Sequence, residues 1–205
     1  ARVSGFECET AGDAVRVRTK RAVWRVRTRR LDLARSLESL DAAAFDGVTT
    51  TAFLDLVSAA WLDRLAAWLA RSGRPLLATL TVDGRRHWQP MRADDALIDD
   101  AFRHHQGGDK GFGPSLGPDA AHALATRLGA LGCAVSRAPA DWHITSGDPE
   151  MLRTMIEESA AVACEAVPAA SARVRAWRAQ RLAQLEAGSL ALDVGHEDLL
   201  ALAPR

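Results

Sequence analysis

Residues 48–82 alternate between strand-like and helix-like hydrophobic patterns, and this alternation constrains the fold more than any other feature. Residues 48–54 form a β-branched run that is typical of a buried strand. Residues 58–71 place apolar side chains at helical spacing and end at Ser72-Gly73, which predicts an amphipathic helix. Residues 75–82 form a second buried-strand run. A strand, a helix and a strand in this order favour an α/β fold.

The rest of the chain continues this alternation of predicted elements. Asp83-Gly84 predicts a turn from the second strand into a hairpin arm at residues 85–88. Helices are predicted over residues 94–102, 119–131, 149–166 and 169–187, with a short one over 33–44. Residues 133–137 predict a short strand, and the chain after Gly188 predicts a final strand or a hairpin arm with a tail. This order predicts a single domain with a predominantly parallel sheet.

The net charge argues against two broad classes of protein. The 26 basic and 26 acidic residues cancel, so neither a nucleic-acid coat nor a polybasic membrane-surface protein is expected. Residues 1–35 nevertheless carry ten basic and four acidic residues. The basic residues alternate with Val, Trp and Thr, which is typical of the solvated face of a hairpin with strands at 14–18 and 22–31. A phosphate-binding arm is the alternative interpretation.

Hydropathy and cysteine spacing indicate the compartment. The sequence has no run of 18 apolar residues, so no membrane-spanning helix is predicted. The three cysteines, Cys8, Cys133 and Cys164, are far apart and have neither zinc-binding nor paired spacing. We therefore expect buried free thiols in a cytoplasmic protein.

Acidic residues follow two of the predicted strands, at the end of the strand where open α/β sheets bind their ligands. Asp32 follows the hairpin, and its carboxylate could accept hydrogen bonds from a ligand amine or ribose hydroxyl, or cap the helix over 33–44. Asp55 follows the first buried strand, where it could begin a helix or make a polar contact at the edge of the sheet.

Residues 104–114 form a Gly-rich polar segment that predicts a flexible loop. His104 and His105 are adjacent and have no third ligand at a suitable spacing, so no metal site is predicted. His105 is the candidate base or hydrogen-bond donor, and Asp109 and Lys110 add a carboxylate and an ammonium group. A surface loop without a function is the alternative.

Four segments of the chain resemble bacterial class I S-adenosylmethionine-dependent methyltransferases. They are Asp32-Leu33-Ala34-Arg35, residues 46–58 with Trp61, residues 105–118 and residues 194–202. The resemblance implies a Rossmann-like methyltransferase sheet, mostly parallel with one antiparallel strand, in the strand order 3-2-1-4-5-7-6. It also implies S-adenosylmethionine as the cofactor of this transferase, and an acceptor that the sequence does not identify.

The resemblance also implies which residues form the site. Asp32 and Leu33 would lie against the adenine of the cofactor, and Thr50 and Thr51 near its methionine end. The loop at residues 105–114 would cover the substrate side, where the catalytic candidates are His105, Asp109 and Lys110.

The resemblance assigns residues 23–31, with the hairpin inserted at 13–32, to the third strand of the family's sheet. Residues 48–52 would be the fourth strand and 76–82 the fifth, while 133–137 and the segment after Gly188 would be the sixth and seventh. The first two strands and the Gly-rich turn after the first strand have no counterpart. The nearest candidate turn, Ala11-Gly12-Asp13, precedes a strand and has a single glycine.

These missing strands lie between the third and fourth strands in the family's order, so their loss would leave those two about 14 Å apart. We therefore expect an incomplete sheet, truncated from a protein of about 270–300 residues and inactive alone. An exposed strand edge of this kind favours a homodimer or a strand-swapped dimer. A non-catalytic methyltransferase-like scaffold that has lost its cofactor-binding half is the alternative.

Overall fold

The computed structural model of the chain describes residues 7–12 and 14–204. The chain separates into two compact units, Ala1–Ser36 and Leu37–Arg205, where the sequence predicts a single domain. Asp13, in the predicted Ala11-Gly12-Asp13 turn, lies outside the described residues, as do residues 1–6 and Arg205.

The first unit is a three-stranded antiparallel sheet in the order β1-β2-β3. β1 is Glu7–Ala11, β2 is Ala14–Arg18 and β3 is Val23–Arg27, and a short helix, α1, follows at Leu33–Ser36. The turn between β2 and β3 is closed by Thr19, whose Oγ1 accepts a hydrogen bond from Ala22 N at 2.9 Å. The predicted hairpin is confirmed, but β3 ends before Leu31 and, among the described residues, pairs with β2 alone. It is not a strand of the larger sheet.

The second unit contains a five-stranded mixed sheet. Its strands are β4 Val48–Thr51, β5 Leu76–Gln89, β6 Ala134–Pro139, β7 Trp142–Ile144 and β8 Ala191–Leu202. Their order is β4-β5-β8-β6, and β7 also pairs with β8. β4 and β5 are parallel, and β8 is antiparallel to its three neighbours. The α/β class is therefore confirmed, in a sheet whose strands share one direction except for β8.

Five helices longer than two turns pack on this sheet in the described part of the chain. They are α2 Ala59–Ser72, α3 Asp95–Gln106, α4 Ala120–Ala130, α5 Pro149–Ala166 and α6 Ser171–Glu186. Ser58 caps α2 by accepting a hydrogen bond from Trp61 N at 3.3 Å, and Gly73 ends α2 at a φ of 65°. The predicted amphipathic helix is thus confirmed to within one residue at each end.

The helices cover the sheet in two places. α2 packs on α4, which contacts β5, β6 and β8, and the side chains buried on that face of the sheet are Leu76, Ala78, Leu199 and Ala201. α3, α5 and α6 pack around Trp88 and Leu192 at the far ends of β5 and β8. Alternate residues of a strand point to opposite faces of the sheet. Where α4 covers one face of β5 and β8, the paired residues Leu77 and Leu200 therefore lie on the other face, and each is 42% exposed.

Three stretches fold differently from their sequence-based predictions, and a fourth was predicted with two alternatives. Asp83-Gly84 is not a turn but part of a bulge within β5, whose register against β8 shifts between Val82 and Arg86. The segment after Gly188 confirms the first of its two predicted alternatives, a final strand, β8. Residues 104–106 form the last turn of α3 instead of entering the loop. Residues 33–44 form α1 and two 3₁₀ turns, Leu37–Ser39 and Ala42–Ala44, instead of one helix.

The predicted burial of the cysteines is not found. All three cysteines are free thiols, and each is partly exposed instead of buried. Across residues 7–12 and 14–204, no helix combines the length and the apolar composition needed to cross a bilayer.

Candidate functional site

The carboxyl end of the parallel pair β4–β5 has an unusual backbone. Ala52, directly after β4, has a φ of 50°, and Leu80, within β5, has a φ of 54°. Residues with a side chain rarely adopt this left-handed conformation, and each instance stores about 1–3 kcal/mol of strain. Such strain persists where the surrounding structure holds it in place, and it is concentrated at functional sites. The carboxyl ends of strands are also where open α/β sheets bind ligands.

Hydrogen bonds hold this strained end in place. Ala52 N donates to Thr79 O at 3.0 Å, and the hydroxyl oxygens of Thr51 and Thr79 lie 2.9 Å apart. Leu80 N donates to Asp198 Oδ1 at 3.0 Å, so the displaced N–H of this residue has a partner on β8. Two facing hydroxyls that share one hydrogen bond keep one donor and further lone pairs for a ligand.

An aromatic cluster lies next to this end and anchors the Gly-rich loop. The rings of Phe53, Trp61 and Phe112 pack edge to face, with centroids 5.3–5.5 Å apart. Leu116 N donates to Val57 O at 3.0 Å, and Ser115 Oγ lies 2.9 Å from Leu56 O. The loop at residues 107–116 is therefore docked on the segment that follows β4.

Asp55, in this segment, and His196, on β8, are buried titratable side chains. Asp55 is 9% exposed, and its Oδ1 has no hydrogen-bond partner among the described residues. Burial raises the pKa of the Asp55 carboxyl, and the charge that His196 can carry opposes this rise. All six histidines are described, and only His196 is buried. Burial of a titratable side chain marks it as a candidate functional group.

Sequence reasoning missed His196 as a site residue. His196 belongs to the segment 194–202, whose resemblance to the methyltransferases was its only signal, and nothing in the local pattern marks the side chain as buried. Its Nδ1 lies 3.1 Å from Val194 O, and a carbonyl oxygen only accepts hydrogen bonds. Nδ1 therefore carries a proton, and Nε2 of the neutral ring carries the lone pair.

Asp32 and Leu33 belong to the first unit, whereas the other five predicted site residues belong to the second unit. Asp32 precedes α1, accepting hydrogen bonds at its backbone oxygen from Ser36 N at 2.8 Å and at Oδ1 from Arg35 N at 3.3 Å. These contacts are those of a helix-capping residue, which is one of the two interpretations that the sequence left open. Leu33 is the first residue of α1 and is half-buried.

Thr50 and Thr51 end β4, and only Thr51 contacts Thr79 through its hydroxyl. His105, Asp109 and Lys110 are brought together at the start of the loop, and all three are exposed. Lys110 Nζ donates to His105 O at 3.2 Å, while Asp109 Oδ1 accepts from Gly111 N at 2.7 Å and Gly113 N at 2.9 Å. Their visible contacts therefore hold the shape of the loop, and their catalytic roles stay predictions.

Replacing Asp109 by alanine is expected to loosen the loop, because two backbone N–H groups lose their acceptor. Asp109→Asn keeps an acceptor oxygen in place and is the matched control. In Asp109→Ala we expect amide exchange at Gly111 and Gly113 to accelerate about tenfold, because local stability falls by roughly 1–2 kcal/mol. In Asp109→Asn we expect the exchange rates to change little. Hydrogen exchange followed by NMR measures both, and equal exchange rates in the two variants would contradict the structural role.

No family model matches this chain, and neither does any curated protein. The functional argument therefore rests on the fold and on the geometry of the carboxyl end of β4 and β5.

Proposed function

We propose that this chain takes part in S-adenosylmethionine-dependent methyl transfer, as the carboxyl-terminal part of a Rossmann-like methyltransferase sheet. The observation that carries the proposal is the strand order β4-β5-β8-β6 with β8 alone reversed. By the resemblance, these strands would be the fourth, fifth, seventh and sixth of the family's order, in which 4-5-7-6 is one continuous half. Four strands could pair in many other orders, so the agreement supports the proposal.

The geometry at the end of β4 fits part of a cofactor site. When bound, S-adenosylmethionine supplies an electrophilic methyl group, and the protein contributes binding and orientation. The hydroxyls of Thr51 and Thr79 retain hydrogen-bonding capacity for the polar methionine end, with Thr50 one residue before. The roles of Asp32 and Leu33 at the adenine stay predictions of the resemblance. The Gly-rich turn has no counterpart in the 205 residues, so the proposal assigns this chain only a share of the cofactor site.

The free edge of β4 is consistent with the proposal that this chain forms only part of the sheet. β4 is an edge strand within the described residues, and the family's order assigns its first strand to that edge. A second strand pairing there, from the same protein or from a second copy, would satisfy the outer backbone groups of β4. The proposed homodimer or strand-swapped dimer rests on this edge.

A non-catalytic scaffold is the second candidate function, because part of the sheet is uncovered. Leu77 and Leu200 pair across β5 and β8 and are both exposed, as is Leu202 near the end of β8. Exposed leucines grouped on one sheet face are typical of a surface that binds another protein or segment.

Isothermal titration of S-adenosylhomocysteine into the natural full-length gene product tests the methyltransferase proposal. We expect saturable binding at one site. Thr51→Val replaces the hydroxyl by a methyl group in a side chain of similar shape, and we expect it to weaken the binding about tenfold. Thr126→Val is the control, because the Thr126 hydroxyl donates to His122 O within α4 at 3.0 Å, and we expect it to leave the affinity unchanged. Absence of binding in the full-length protein would overturn the enzyme proposal and favour the scaffold.

A further inference from the structure

A cavity of about 160 Å³ lies beside the bulged half of β5 in the second unit. Its walls are mainly apolar: Val82 and Val194 from the sheet, Phe102 from α3, Trp142 from β7 and Met155 from α5. A cavity of about 150 Å³ with apolar walls is known to hold a benzene ring. The size and lining therefore suit one six-membered ring.

His196 adds a hydrogen-bonding ring to the wall of this cavity. His196 lines the cavity and is 4% exposed. Its ring packs on Trp142 with centroids 4.7 Å apart, and Nδ1 is committed to Val194 O. In the neutral ring Nε2 is therefore an acceptor, and it is not one of the fully enclosed side-chain atoms that lack a partner among the described residues. An acceptor on the cavity wall gains a hydrogen bond from a ligand that brings a donor.

The two arginines at the cavity wall are neutralised by groups outside its lining. Arg85 donates to Asp83 at 2.7 Å and to Asp141 at 2.7 Å and 3.0 Å. Arg86 lies 3.2 Å from Asp99, donates to Ser159 Oγ at 2.7 Å and stacks over Phe102. Among the described residues, no carboxylate lines the cavity. The wall therefore offers no net charge to an ionic ligand, and burial of an unpaired ionic group there would be costly.

We propose that this cavity is a binding site for a neutral, single-ring ligand that carries an O–H or N–H donor. The ring packs among Phe102, Trp142 and the aliphatic walls, and the donor hydrogen-bonds to Nε2 of His196. The site stands independently of methyl transfer, because none of its residues belongs to the proposed cofactor contacts.

Phenol and toluene are the probes, since they share a ring of the same size and differ in the donor. Burial raises the pKa of the Asp99 carboxyl to about 6, so titrations at about pH 7.5 keep the Arg86–Asp99 pair ionised. We expect saturable binding of phenol that is about tenfold tighter than that of toluene, the equivalent of one hydrogen bond. Equal affinities, or no saturable binding of either probe, would overturn the proposal.

His196→Phe keeps an aromatic ring and removes the acceptor, so we expect it to abolish the preference for phenol. His87→Phe is the matched control, because His87 is exposed on β5 and lies outside the cavity lining. We expect this variant to keep the preference for phenol. A second measurement covers the case in which His196→Phe does not fold. In the unaltered protein, phenol should shift the ¹⁵N resonance of His196 Nε2, whereas toluene should not. A shift of equal size with both probes, or with neither, contradicts the assigned hydrogen bond.

Discussion

Gly195→Ala is expected to destabilise the protein by about 3 kcal/mol, at the upper end of the usual cost of overpacking. A Cβ at Gly195 would lie 2.1 Å from Asp83 Oδ1 and 2.8 Å from Arg85 Cβ. The Asp83 carboxylate cannot move aside freely, because its Oδ1 accepts from Arg85 N at 2.9 Å and its Oδ2 from Arg85 Nε at 2.7 Å. The bulge in β5 therefore needs glycine at this position of β8. Urea denaturation measures the change.

Gly129→Ala is the matched control for this substitution. Gly129 lies in α4, and an added Cβ there meets no atom within 4 Å. Because alanine favours helix over glycine, we expect Gly129→Ala to leave stability unchanged or to raise it by up to about 1 kcal/mol. If Gly195→Ala were as stable as Gly129→Ala, the bulge would not depend on close approach at Gly195.

Arg181→Met is expected to lower the free energy of unfolding by about 3–5 kcal/mol, because it leaves a buried carboxylate without its countercharge. Arg181 in α6 is 0% exposed and donates to Asp95, to Pro90 O at 2.8 Å and to Gln184 Oε1 at 2.8 Å. Asp95 in turn accepts from Trp177 Nε1 and from Arg92 N, each at 2.7 Å. The network joins α6 to the start of α3.

Arg178→Met on the same helix is the control, because Arg178 is exposed and its pair with Glu157 lies at the surface. Exposed ion pairs add little to stability, so we expect the melting temperature to change little. Combining Arg181→Met with Asp95→Asn removes both buried charges and should recover part of the loss, as measured by a double-mutant cycle. A double variant no more stable than Arg181→Met would contradict the charge-based explanation.

Local pattern alone predicted most of the helices and strands. α5 matches its predicted range, from Pro149 to Ala166, because proline at the first position and helical apolar spacing are local signals. The β2–β3 hairpin and the parallel pair β4–β5 also follow from alternation and β-branched runs. The short strand β7 was missed, because three residues carry too little periodicity to be read.

The position of Thr51 was predicted, whereas its role at a cofactor site stays a prediction. Thr51 does lie at the carboxyl end of the parallel pair, since a strand–helix–strand order determines which end that is. The strain at Ala52 and Leu80 was not foreseeable, because alanine and leucine carry no local preference for a positive φ. Asp109 and Lys110 were singled out for their chemistry, and the contacts that involve them show a role in shaping the loop.

The sequence by itself determined the α/β class and the positions of the main elements, because helical and strand periodicity are properties of short segments. Tertiary structure decided whether Asp83-Gly84 forms a turn or a bulge, because an Asp-Gly pair suits both and only Gly195 on β8 makes room for the bulge. It also decided which polar residues are buried. The partner of Arg181 lies 86 residues away, and no local pattern marks an arginine or His196 for the interior.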